Sequence, residues 1–184
     1  LPGLHVLAVA EADGGHEVGG LGCDTDGFVG IGRADGLDAH IDLPAFRRVA
    51  ATLTPTSDSD IKVEVWLPAS GWNGKFQAVG NGGWAGVISY SAMAAAVRAG
   101  YATASTDTGH STPGGSFALG HPEKLIDYGY RAVHEMTVKA KAIVAAYYGT
   151  PPKHSYFIGC SLGGMQAVVE ARRVKDPQLG WWAF

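Results

Sequence analysis

The feature that most constrains this chain is a serine set between glycines, Gly159-Cys160-Ser161-Leu162-Gly163, where two kinds of segment meet. Residues 155–158 form an apolar run typical of a short buried strand, and residues 165–173 have a helical pattern. On such a strand-to-helix turn the serine backbone is strained, and side chains two residues to either side would clash, so glycine is needed there. We therefore predict that Ser161 is a nucleophile. The alternative is a glycine-rich turn with an idle serine, and the flanking strand and helix favour the first interpretation.

Upstream of this motif, two segments have strand patterns. Residues 61–67 alternate apolar with polar side chains, which predicts a strand near a sheet edge with one exposed face. A turn containing proline, glycine and asparagine leads to a second predicted strand at residues 75–79. We expect these two strands to pair as a hairpin. In the glycine-rich first 42 residues, only short runs such as Phe28-Val29-Gly30-Ile31 suggest strands.

Helices and strands alternate along the second half of the chain. A helix is predicted around residues 92–99, a strand at 101–105, and a long helix whose apolar face runs from Ile126 to Tyr147. This order predicts parallel strands joined by crossover helices. Together with the serine motif it predicts the α/β class, as a partial α/β-hydrolase fold: a mostly parallel sheet with an antiparallel N-terminal hairpin and flanking helices. Residues 1–184 are expected to form one incomplete domain.

A nucleophilic serine also needs hydrogen-bond donors for the oxyanion that forms during ester or amide cleavage. One donor is normally the backbone N–H of the residue after the serine, here Leu162. The second comes from the loop after an earlier strand, and the glycine loop that contains Gly82 and Gly83 is in the right order to supply it. An ordinary glycine turn between a strand and a helix is an equally good explanation of that loop by itself.

Several other side chains are candidates for the site. Asp107 and His110 lie beyond the end of a predicted parallel strand, where α/β proteins bind ligands. Both precede Ser161, whereas the acid and base of α/β-hydrolases follow the serine, so we interpret them as loop-shaping or substrate-side residues. Their recruitment as a catalytic pair is the alternative. His134 is expected to be a hydrogen-bonded boundary residue, and Trp84, beside the glycine loop, either packs or contacts substrate.

Composition excludes several classes of function. With a net charge of −3 and a pI near 6.1, the chain lacks the excess of positive charge that binding to nucleic acid or an anionic membrane requires. No apolar stretch approaches the length of a membrane span. The two cysteines, Cys23 and Cys160, have no zinc-site spacing, and we expect neither a metal nor a cofactor in this chain. The expected partner is a small substrate, with the oligomeric state left open.

Six segments together resemble the tannase and feruloyl esterase family, in the order of the family and over roughly residues 43–173. They are the run from Pro55 to Pro68, Trp72-Asn73-Gly74-Lys75-Phe76, the loop from Gly80 to Gly86, Asp107-Thr108-Gly109-His110, Tyr128-Gly129-Tyr130-Arg131-Ala132-Val133-His134, and Gly159-Cys160-Ser161-Leu162-Gly163-Gly164. The resemblance implies a secreted or periplasmic serine esterase that cleaves feruloyl, galloyl or similar aromatic esters through an acyl-enzyme at Ser161. It also implies that Cys160 is half of a disulfide to a cysteine beside the catalytic histidine. Family members carry a large lid after the nucleophile region, and many bind calcium there.

The sequence departs from the family pattern at two places. Arg47 occupies the position of a usual cysteine, which leaves Cys23 without its expected partner, and residues 174–184 do not follow the family. This departure suggests a truncation, with the lid, the catalytic acid and histidine and the partner of Cys160 missing. We expect residues 1–184 alone to have weak or no activity. The alternative is a non-catalytic remnant of a hydrolase fold that binds phenolic esters.

Overall fold

The computed structural model describes residues 4–12 and 43–173, and these residues build one mixed sheet with helices on both faces. Six strands lie in the order β1-β2-β3-β5-β4-β6. The strands are β1 (Leu4–Ala12), β2 (Phe46–Leu53), β3 (Ile61–Pro68), β4 (Lys75–Val79), β5 (Ala102–Thr106) and β6 (His154–Ile158). The helices are α1 (Tyr90–Arg98), α2 (Pro122–Ile126), α3 (Ala132–Tyr148) and α4 (Leu162–Arg173). The predicted α/β class and hydrolase-type fold are confirmed.

Strand β3 contradicts the predicted hairpin. It lies between β2 and β5 and is antiparallel to both, so it is neither at the sheet edge nor paired with β4. The N-terminal antiparallel pairing is instead that of β2 with β3, joined by residues 54–60, and β1 adds antiparallel to the outer side of β2. No sequence pattern that we analysed predicted β1 or β2. Pairing between strands is a long-range property that the alternation of residues 61–67 does not encode.

The alternation in β3 suggested an exposed face, but its polar residue Glu64 is buried. Arg48 donates to both carboxylate oxygens of Glu64, and the indole N–H of Trp66 and the hydroxyl of Tyr90 also donate to them. These four hydrogen bonds replace the hydrogen bonds to water that the Glu64 carboxylate loses when it is buried. The network joins β2, β3 and α1, so the second face of β3 is covered rather than solvated.

The parallel part of the sheet is formed by β5, β4 and β6, as the strand and helix order predicted. Helix α1 packs on one face of the sheet, where Met93 and Val97 contact Trp66 and Val79. Helices α3 and α4 cover the other face, over a core that includes Phe76, Phe157, Met136, Val144 and Ala167. Because β4 is flanked by strands on both sides and by helices on both faces, its C-terminal end is a fixed point from which a loop can be presented.

The predicted helices are confirmed, with one difference in the long segment. It consists of α2, a turn of π-helix at Asp127–Arg131, and α3, which ends as predicted at Gly149 in the left-handed conformation (φ 71°). Within residues 43–173 no helix combines the length and apolarity that a membrane crossing requires. The strand suggested at Phe28-Val29-Gly30-Ile31, Cys23 and the departing tail after Arg173 lie outside the described residues.

Candidate active site

Ser161 lies on a strained turn between β6 and α4. Its φ of 56° is in the left-handed region, which residues with a side chain rarely adopt, and Ser161 is exposed. A Cβ added at Gly159 would lie 2.6 Å from the Cα and the carbonyl oxygen of Gly163, closer than real Cβ atoms approach. The predicted need for glycine two residues before the serine is therefore confirmed by this contact. A non-glycine residue held at such a φ is the kind of outlier from which a functional turn can be inferred.

Leu162 is the first residue of α4, and its backbone N–H has no acceptor among the described residues. The N–H groups of the first helical turn are not used within a helix, and the helix dipole adds positive potential there. An anion next to Ser161 would meet both effects. This geometry supports the predicted role of Leu162 as an oxyanion donor.

The glycine loop follows β4 and lies directly against the serine turn. The N–H of Gly80 donates to the carbonyl of Ile158 (2.9 Å), and a Cβ on Gly80 would lie 2.7 Å from the Cα of Gly163. The next two glycines, Gly82 and Gly83, are exposed, and their N–H groups have no acceptor in the described part of the chain. The structure therefore places the predicted loop beside the turn that carries Ser161, with two backbone N–H groups of the loop unused.

An aromatic cluster borders the loop. Trp84 stacks on Tyr128 (ring centroids 4.3 Å apart), and the hydroxyl of Tyr128 donates to the carbonyl of Gly83 (3.1 Å). The π-helical turn at Asp127–Arg131 carries Tyr128, and the residue enters the cluster from there. Trp84 also packs against Phe117 but remains 45% exposed, so part of a large aromatic side chain is open to solvent beside the glycine loop. Packing and substrate contact are thus compatible roles for Trp84.

Asp107 shapes a turn at the end of β5. One carboxylate oxygen accepts the N–H groups of Lys62 (3.0 Å) and Gly109 (2.8 Å). Thr108, which lies between Asp107 and Gly109 in the chain, has a φ of 62°, a strained value that these hydrogen bonds help to hold. Burial raises the pKa of Asp107 to about 7, against the opposing effect of the two N–H donors. These contacts agree with the interpretation of Asp107 as a loop-shaping residue.

His110 is buried in the aromatic cluster. Its ring stacks on Phe117 (3.9 Å between centroids), and its nitrogens lie 3.3 Å from the Thr108 hydroxyl and 3.4 Å from the carbonyl of Trp84. Among the described residues no hydrogen bond joins Ser161 to a histidine or an acidic side chain. The geometry favours a supporting role for His110 over its recruitment as the base.

His134 is the hydrogen-bonded boundary residue that the sequence suggested, whereas the disulfide expected at Cys160 stays a prediction. His134 on α3 is partly exposed and lies 3.3 Å from both carboxylate oxygens of the buried Glu170. Burial raises the pKa of Glu170, and the charge of His134 opposes that shift. Cys160 is a free, exposed thiol. Within the described ranges no three histidine, cysteine or acidic side chains group as metal ligands.

The sequence analysis missed Asn81 and Gln166, whose side chains connect the glycine loop to α4. The N–H of Asn81 donates to Gln166 Oε1 (3.2 Å), and Gln166 Nε2 donates to Asn81 Oδ1 (2.8 Å). Tyr128 belongs to one of the six segments that resemble the family, but no role in the site was predicted for it. A polar residue on the inner face of a helix, such as Gln166, is the one local signal that could have drawn attention to this pair.

Known proteins resemble this chain over most of its length. Residues 47–180 match the family model described as tannase and feruloyl esterase. An uncharacterized esterase of Xanthomonas campestris pv. campestris is 48% identical over 139 residues, covering 74% of this chain and 24% of that protein. Feruloyl esterase B of Aspergillus niger is 35% identical over 144 residues, covering 78% of this chain and 27% of the relative.

Solved structures agree with the sequence comparison. The crystal structure of feruloyl esterase B from Aspergillus oryzae superposes with a TM-score of 0.77 at 32% identity, covering 91% of this chain and 31% of that one. The tannin acyl hydrolase from Aspergillus niger superposes with a TM-score of 0.66 at 20% identity, a likeness of fold alone, covering 100% of this chain and 33% of that one. The chain thus spans about a quarter of the length of its curated relatives.

Proposed function

This chain belongs to the tannase and feruloyl esterase family, and on that basis we propose that it forms the nucleophile-bearing part of a serine esterase for aromatic esters. The observation that carries the proposal is the strained, exposed Ser161 between two sets of unused backbone N–H groups. Leu162 supplies one set, and Gly82 and Gly83 supply the other. A turn with this geometry stabilises a negative charge next to a hydroxyl, which is the requirement of acyl transfer.

In the proposed reaction, Ser161 Oγ forms a bond to the ester carbonyl carbon and gives its proton to a base. The carbonyl electron pair moves to the oxygen, where the backbone N–H groups of Leu162 and the glycine loop stabilise it. Collapse of this intermediate breaks the bond to the alcohol, which leaves with the proton, and water then releases the acid from Ser161. The base is proposed to be a histidine outside residues 43–173, because no histidine within that range contacts Ser161.

The proposal of an aromatic acyl group rests on Trp84 and its neighbours. Named relatives are feruloyl esterases, and here the partly exposed Trp84 directly follows Gly82 and Gly83. An aromatic ring bound near Ser161 can pack against the exposed part of Trp84, and aromatic pairs contribute about 0.5–1.5 kcal/mol beyond their buried area. We propose feruloyl, galloyl or similar groups, with secretion or periplasmic export and a disulfide at Cys160 as further expectations of the family.

The test is covalent labelling of the purified protein with a fluorophosphonate, followed by peptide mapping and by assays with methyl ferulate and methyl gallate. We expect the label on Ser161, and Ser161→Ala should remove both the label and any hydrolysis. Val168→Ala is the matched control, since it shortens an exposed side chain further along α4 and should retain the label. Hydrolysis that survives Ser161→Ala would refute the mechanism. Binding of methyl ferulate without label or acyl-enzyme would instead favour a non-catalytic remnant and would also overturn the proposal.

A further inference from the structure

We propose that Gln166 is a positioning residue that fixes the oxyanion loop against the nucleophile helix through Asn81. This inference rests on the proposed function, because it assigns to the loop the oxyanion-binding role described above. Gln166 lies in α4, five residues after Ser161, which immediately precedes the first residue of that helix. A clamp between Gln166 and the loop therefore makes the loop and the nucleophile one rigid unit.

The side chain of Gln166 both accepts a hydrogen bond from Asn81 and donates one to it. Gln166 accepts the backbone N–H of Asn81 and donates to the side-chain oxygen of the same residue. Both residues are buried, at 4% and 6% exposure. Buried amides without partners are costly, so this pair has one strongly preferred arrangement.

Asn81 extends the clamp to the rest of the loop. Its side-chain nitrogen donates to the carbonyl of Val87 (3.2 Å) and to that of Thr106 at the end of β5 (3.1 Å). The start of the loop, its end and the neighbouring strand are thus tied to one residue, which Gln166 holds. Loss of Gln166 would release all three from α4.

The clamp also selects which amides can bind an oxyanion. Because Gln166 occupies the N–H of Asn81, that group cannot donate to substrate. The N–H groups of Gly82 and Gly83 have no such partner among the described residues, so they are left as the available donors. Gln166 therefore fixes the position of the loop and assigns the donor role to its glycines.

Glutamine is suited to this role because it accepts and donates at the same time. An ionised carboxylate at position 166 would accept from the Asn81 N–H but would repel the Asn81 side-chain oxygen. A protonated carboxyl would restore both hydrogen bonds. Since burial raises the pKa of a carboxyl group, Gln166→Glu should regain the clamp as the pH is lowered, whereas Gln166→Leu should lose it at every pH.

The first experiment measures amide hydrogen exchange in the purified protein. In Gln166→Leu we expect exchange at Asn81 to be about tenfold faster, the factor that corresponds to one lost hydrogen bond. Thr137→Val is the matched control, because the Thr137 hydroxyl is also buried but has no hydrogen-bond partner. Unchanged exchange at Asn81 in Gln166→Leu, or an equal increase in Thr137→Val, would overturn the inference.

The second experiment measures hydrolysis of methyl ferulate by the complete esterase of which we propose this chain to be the nucleophile-bearing part. We expect Gln166→Leu to lower kcat by about tenfold to a hundredfold, as a misplaced oxyanion donor does, with KM within about threefold of wild type. The ratio of Gln166→Glu to wild-type kcat should rise as the pH falls from about 8 to about 5. If Ser161→Ala abolishes hydrolysis while Gln166→Leu keeps the wild-type kcat, only this inference fails. If hydrolysis survives Ser161→Ala, the proposed function fails and the exchange measurement decides whether the clamp exists.

Discussion

Substitution of Gly159 by alanine is expected to disable the serine turn through a backbone collision. The added Cβ would lie 2.6 Å from Gly163 Cα, whereas carbon atoms in contact are about 3.5–4.0 Å apart. The two segments must therefore separate by about 1 Å. Neither can yield easily, since Gly159 directly follows the last residue of β6 that pairs with β4, and Gly163 lies in the first turn of α4.

That displacement is expected to lower both the unfolding free energy and the reaction rate at Ser161. Overpacking of this kind costs about 1–3 kcal/mol of unfolding free energy. A shift of about 1 Å between a nucleophile and its oxyanion donors lowers the rate about a hundredfold. We therefore expect Gly159→Ala to lose about 2 kcal/mol in urea denaturation and to react about a hundredfold more slowly with a fluorophosphonate at Ser161.

A second glycine of the same turn provides the control. A Cβ at Gly164 would lie 3.4 Å from the carbonyl oxygen of Gly159, an ordinary contact, and Gly164 is inside a helix. Gly164→Ala should therefore keep the labelling rate and gain about 0.5–1 kcal/mol from helix propensity. The reasoning is refuted if Gly159→Ala unfolds at the same urea concentration as wild type, or if the two variants label equally fast.

Three further predictions concern groups around the site. Glu64→Gln should lower the unfolding free energy by about 3 kcal/mol in urea denaturation, because it leaves the Arg48 charge without its buried partner; no loss in that assay would contradict the network. Burial raises the pKa of Asp107 to about 7, so the folded state keeps its proton where the unfolded chain has lost it, and stability should fall as pH rises from about 4 to about 7. Asp107→Asn should flatten that part of the stability profile measured by thermal unfolding, and a variant profile parallel to wild type would refute the assignment. Trp84→Ala should raise KM for methyl ferulate by about threefold to tenfold and leave KM for an acetate ester unchanged; an equal effect on both esters would show that Trp84 only packs.

The serine turn and the order of strands and helices could be predicted because their signals are local. The glycines around Ser161, the apolar run before it and the helical pattern after it are contiguous, and the structure shows all three together. The glycine loop was also predicted, from its place after a strand. Its contact with the turn follows from β4 and β6 being neighbours.

The missed features depend on residues far apart in the chain. Glu64 looked exposed because its donors, such as Arg48 and Tyr90, belong to other elements. The partner of β3 could not be inferred from its own alternation, which sets a face but not a neighbour. Gln166 and Asn81 are separated by 85 positions, and no spacing rule connects them. Chemistry carried by contiguous residues can be predicted from one sequence, whereas pairing between distant segments cannot.

The mutual contact of Gly80, Gly159 and Gly163 limits how this part of the protein can change over evolutionary time. When a side chain is too large for a core, a neighbour can often become smaller and make room. The atoms nearest to a Cβ at Gly159 are backbone atoms of Gly163. Because Gly163 has no side chain, no smaller residue can replace it to make room. A screen for second-site suppressors of Gly159→Ala is therefore expected to return reversion to glycine rather than compensating substitutions at Gly80 or Gly163.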